Sequence, residues 1–62
     1  MATATATLLD IEAAAARLGV NVRYMRHLVA RRDIPYFKVG HLLRFDAADL
    51  DAFLAARRRE VA

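Results

Sequence analysis

Glu12–Phe37, reading EAAAARLGVNVRYMRHLVARRDIPYF, is the stretch on which the fold turns. An alanine-rich segment, a turn at Gly19-Val20-Asn21 and an arginine-studded segment follow one another in it without a spare residue. Ile11, Ala14, Ala15 and Leu18 fall at i, i+3, i+4 and i+7, the apolar stripe of one helix, and Asp10 before them is a good N-cap. The spacing predicts a helix over about residues 11–18. Gly19 closes it, because glycine takes the left-handed conformation that a Cβ disfavours. Val20 then turns inward, and Asn21 offers the N-cap of a second helix running to about Arg31. Ala15 precedes Gly19 by four residues, while Met25 and Leu28 follow it by six and nine. That spacing crosses two short helices tightly, since a small side chain lets their backbones approach.

Rotating the second helix by 100° per residue puts Met25, Leu28 and Val29 on one side and Arg23, His27 and Ala30 on the other. Arg26 lies on one flank of the outward face, Tyr24 and Arg31 on the opposite flank. Ile34-Pro35 forbids further helix, because proline lacks a donor and pushes its predecessor out of the helical region. Beyond it, Tyr36–Val39 and Leu42–Phe45 are rich in β-formers and flank Gly40-His41, a two-residue link with glycine first as a type II′ hairpin prefers. Leu42 and Leu43 are adjacent in a strand and so face opposite ways. Leu43 shares the inward face with Phe45, leaving Leu42 at the surface. Asp46 caps a third helix over about 47–59, with Asp49 as a short capping-box partner and Leu50, Phe53 and Leu54 as its apolar stripe. The expected architecture is mainly α with a small β-hairpin: three helices plus a two-stranded wing, over residues 8–59. Residues 1–7 and 60–62 are expected to be tails, the first because alternating Ala and Thr give it no hydrophobic face.

A chain of 62 residues makes one domain and buries one small core, which leaves little room for an enzymatic pocket. With no cysteine, neither a disulfide nor a thiolate metal site supplements the packing. His27 and His41 alone make an incomplete metal set, so neither metal nor cofactor is expected. No nucleophile, base and orienter occur together, and Asp10, Asp46 and Asp49 are accounted for as caps, so an enzyme is not expected. No run approaches the length of a membrane span, and Met1–Thr7 lacks the features of a signal peptide. A cytoplasmic location and no membrane partner follow as expectations.

Charge is concentrated in the middle of the chain. The net charge is +3, yet residues 21–44 alone carry six basic side chains, Arg23, Arg26, Arg31, Arg32, Lys38 and Arg44, against Asp33. The two flanks are each slightly acidic. A positive centre of this kind suits a polyanion-facing surface.

The local words Leu9–Ala14, Leu18-Gly19-Val20-Asn21, Ile34–Gly40, Arg44-Phe45-Asp46 and Leu50–Leu54, in that order, resemble the excisionase-type, MerR-like winged helix-turn-helix domain. The likeness covers residues 8–56. It implies a second helix that enters the major groove of double-stranded DNA and a hairpin that runs along the backbone or into the adjacent minor groove. Position by position, Arg23, Tyr24, Arg26 and His27 match the exposed recognition-helix sites, and Lys38, His41 and Arg44 match the wing; Arg31 is a further candidate beside them. Two residues depart from the pattern. His41 stands where the wing tip often has arginine, and Arg32 where a glycine frequently follows the recognition helix, which leaves either a different helix end or a strained one.

Small members of this kind include excisionases of phages and mobile elements, which assemble side by side on DNA, bend it and help an integrase build the excision complex. The resemblance therefore implies an integrase and further copies of the chain on adjacent DNA sites as partners, on the nucleoid of a bacterial host. A small winged-helix transcription regulator would use the same surface. An interaction adapter whose basic face meets an acidic protein is a reading of another class. On the DNA readings Arg23 is the candidate for bases, through a guanidinium fork to guanine, and Arg26, Arg31, Lys38 and Arg44 are candidates for phosphates. Purely structural roles stand beside these: the Tyr24 ring covers the core edge, and Lys38 and Arg44 keep an edge strand from pairing.

Overall fold

In the computed structural model, which describes residues 7–60, six elements follow in order. They are β1 (Leu8–Leu9), α1 (Ile11–Leu18), α2 (Val22–Ala30), β2 (Phe37–Val39), β3 (Leu42–Asp46) and α3 (Ala47–Ala56). Residues 1–6 and 61–62, most of both expected tails, lie outside the described residues. The three helices and the antiparallel hairpin are those of a winged helix-turn-helix.

Local chemistry sets the helix boundaries. Asp10 accepts a hydrogen bond from the Ala13 amide at 2.8 Å, and Asn21 accepts one from Tyr24 at 2.8 Å. Each satisfies a backbone donor that the first helical turn leaves orphaned, a contribution of about 1 kcal/mol. Asp46 caps α3 by accepting from Ala48 at 3.0 Å. At its C-terminus α1 closes in a full Schellman motif: Val20 donates to the Ala15 carbonyl at 2.9 Å and Gly19 to Ala16 at 3.1 Å, with Gly19 at φ +74°.

The end of α2 repeats that motif with a different residue. Asp33 donates to the Leu28 carbonyl at 2.9 Å and Arg32 to Val29 at 3.0 Å, and Arg32 sits at φ +58°. Of the two endings that the sequence left open, the chain adopts the strained one. A left-handed L-residue costs on the order of 1 kcal/mol relative to glycine.

Buried Ala14 and Ala15 on α1 meet Met25 and Leu28 on α2, and Ile34, Phe45 and Leu50 complete the core. The small pair is what allows the close helix crossing inferred from the sequence. Leu43 packs against the core while Leu42 is 46% exposed, as strand alternation requires.

Three features differ from expectation. First, β1 turns the hairpin into a three-stranded sheet of order β1-β3-β2, with Leu8 opposite Asp46 and Leu9 opposite Phe45. The Thr7 carbonyl adds a bond from Ala47 at 3.0 Å, so β3 is held on both sides. Second, α3 ends at Ala56 and not near residue 59. Beyond Leu50 and half-buried Phe53 it has no buried face, and three consecutive arginines repel one another. Arg57 folds back over the Phe53 ring, 3.5 Å from its centroid, while Arg58 pairs with Glu60 at 3.4 Å. Third, Leu54 is 42% exposed and does not belong to the apolar stripe.

Arg17 and Asp51 tie α1 to α3 through two parallel bonds, Nε to Oδ1 at 3.0 Å and Nη2 to Oδ2 at 3.1 Å. The hydrogen bonds from Arg17 hold the Asp51 carboxyl below its ordinary value of 3.8. A depressed folded value means that the contribution is present above the ordinary carboxylate range and disappears as pH falls through the folded value. Asp51→Asn is therefore expected to lower the melting temperature slightly at neutral pH and to match the parent once acid has protonated the Asp51 carboxyl, as thermal melts at neutral and strongly acidic pH would show. Salt screens so exposed a pair, so the difference should also shrink at high ionic strength.

Candidate nucleic-acid interface

The outward side of α2 is polar because its apolar residues are spent on the core. Met25 and Leu28 are buried, while Arg23, Tyr24, Arg26 and His27 are all exposed. Arg23, Arg26, His27 and Ala30 line one shallow recess along this face. Ala30 contributes almost no bulk at its end, which leaves the backbone approachable.

A second recess lies between α2 and the wing. Arg26 lines it together with Asp10, Ile11, His41, Leu42, Leu43 and Arg44. Arg26 thus borders both recesses and makes the helix face continuous with the hairpin. The hairpin reaches this position through its tight turn, in which Gly40 has φ +63° and His41 does not share the positive sign. That combination is the type II′ pattern expected from the sequence, and it brings Val39 opposite Leu42.

The eight candidate residues are not equally placed. Arg23, Arg26 and His27 come together on the helix, and Arg26, His41 and Arg44 come together at the wing. Arg44 is half-buried and donates from Nη1 to the Leu43 carbonyl at 2.8 Å, which uses one of its guanidinium donors within the wing. Arg31 is engaged by Asp33 at 3.2 Å, so its charge is partly neutralised within the chain. Lys38 is exposed opposite Leu43, on the other strand face from Arg44. Tyr24 is 50% exposed on the flank of α2 and lines neither recess.

Sequence reasoning passed over two residues here. Asp10 was read only as a cap, yet its position also places a carboxylate at the edge of the second recess. Arg32 counts in the positive centre of the sequence and departs from the glycine pattern at the helix end, but the sequence does not single it out as a site residue; its positive φ is the signal that the glycine pattern hinted at.

The profile of the helix-turn-helix domain family matches residues 8–58. The chain belongs to that family. No curated protein and no solved structure matches it significantly. The match spans β1 through the end of α3, so the helix-turn-helix domain includes the wing and the strand that buttresses it. Membership points to DNA binding as the class of function. Among the described residues of the domain no helix is long and apolar enough to cross a membrane.

Proposed function

We propose that the helix-turn-helix domain binds duplex DNA with α2 in the major groove and the β2–β3 hairpin beside it, and that it serves as an excisionase that turns integrase-mediated recombination towards excision. The observation that carries the DNA reading is the position of Arg26, which borders both the helix recess and the wing recess and so makes one basic surface of them. Arg23 on the exposed face presents a guanidinium fork to a base edge, Arg26 and Arg44 reach phosphates from that surface, and Lys38 reaches one from the other face of the hairpin. The excisionase role draws its support from the local sequence words and their order, together with family membership over residues 8–58. One small domain reads few base pairs, so several copies on neighbouring sites supply the specificity and share the work of bending deformable DNA.

Binding rests on counterion release, because every cation that reaches a phosphate frees a condensed ion. With these three contacts, log K is expected to fall with log salt at a slope of about −3. Fluorescence anisotropy on duplexes containing the attachment site, repeated at several salt concentrations, reads this slope directly; a slope near zero would reject groove binding by the basic face. The role is tested separately by adding the protein to the cognate integrase and attachment DNA. Excision should rise and integration should not, whereas a transcription regulator would leave both unchanged.

A further inference from the structure

The fold closes its first two helices with the same hydrogen-bond pattern and treats the left-handed position differently. After α1 that position is Gly19, and a Cβ built there would meet nothing within 4 Å, so the glycine serves backbone conformation and not space. After α2 the equivalent position holds Arg32 at φ +58°. An arginine there gains nothing from the backbone that glycine would not provide more easily. The side chain is exposed and has no ion-pair partner among the described residues, since the adjacent Asp33 is taken by Arg31 at 3.2 Å. Its place in the chain is the C-terminal end of α2, two residues beyond Ala30, which lines the recess shared with Arg23, Arg26 and His27.

We infer that Arg32 is a phosphate-binding residue at the end of the recognition helix, held in a strained backbone position for the sake of its unpaired guanidinium, and that it and not Arg31 supplies the cation there. The inference rests on the DNA-binding reading of α2. Strain at one residue is a reasonable pointer to function only when a gain elsewhere offsets it. A free cation next to the recess lined by Arg23 and Arg26 provides that gain, through one more released counterion.

The test is Arg32→Gly beside Arg32→Lys, with binding to a fluorescent duplex measured from low to high salt and stability measured by thermal melt. Arg32→Gly should raise Tm by roughly 4–8 °C, because about 1 kcal/mol of strain is relieved in a domain of this size. The same variant should weaken DNA binding about 5- to 10-fold near 0.1 M salt and lower the salt slope by about one. Arg32→Lys keeps the charge and should keep the slope. A higher Tm with an unchanged slope would overturn the inference, as would a Tm that falls, because the arginine would then be present for stability. If Arg23→Ala/Arg26→Ala abolishes binding while Arg32→Gly does not alter it, this inference alone fails. If the parent protein binds no duplex even at low salt, the DNA reading and this inference fail together.

Discussion

Replacing Arg23 and Arg26 together by alanine is expected to reduce DNA affinity by about 100-fold at near-physiological salt while leaving the fold intact. Arg26 accounts for one counterion-releasing contact, worth on the order of 10-fold near 0.1 M salt, and a well-aligned Arg23 contact to guanine for about 1–3 kcal/mol more. The salt slope should shallow by one or two. Both side chains are exposed and neither lies in an ion pair among the described residues, so the thermal midpoint should stay within the change expected of a surface substitution, about 0.5 kcal/mol. The single variants divide the effect: Arg26→Ala weakens all sequences alike, whereas Arg23→Ala flattens the preference between a site and its mismatched variants. Unchanged affinity in the double variant, with Tm preserved, would move the basic face from DNA to an acidic protein partner.

How far the sequence revealed this surface depends on the range of the interactions involved. The α1 boundaries were legible because caps and apolar periodicity are local: Asp10 and Gly19 frame Ile11–Leu18 in the chain and in the fold. The exposed face of α2 was legible for the same reason, since the 100° step per residue puts Met25 and Leu28 roughly half a turn from Arg23 and His27. The turn of the wing followed from glycine as the first residue of a two-residue link. By contrast, β1 consists of two residues, too few for any period, and exists only because Leu8 and Leu9 meet a strand far along the sequence. The helix end at Ala56 likewise depends on what α3 can bury and not on the propensities of residues 57–59, which favour helix. Arg31 illustrates the limit for the site itself. The sequence places it on the flank of the helix, but its pairing with Asp33 goes with the Schellman turn at Arg32, which the arginine in the sequence disguised.

Phe45→Ala is expected to remove a large part of the protein's stability and to bring it close to unfolding at room temperature. Phe45 is fully buried, and its removal leaves a cavity at the point where α1, β1 and α3 converge. Large-to-small aromatic truncations in a core cost about 3–5 kcal/mol. A domain of 62 residues has a total stability of only roughly 3–9 kcal/mol, so this one cavity removes from about a third of it to all of it. Phe45→Leu should lose much less, because the branched side chain refills part of the space. Far-UV circular dichroism with a urea titration distinguishes the outcomes: a midpoint shifted far toward low urea for the alanine variant and a slightly displaced, cooperative one for the leucine variant. The loss should extend to DNA binding, since β3 carries both the wing residues Leu42–Arg44 and the Asp46 cap of α3, and bonds to β1 and β2 on its two edges. A Phe45→Ala protein that melted near the parent temperature would mean that α1 and α2 hold their crossing without the sheet. The wing would then be an appendage, and the continuity of the two recesses through Arg26 would no longer depend on the core beneath them.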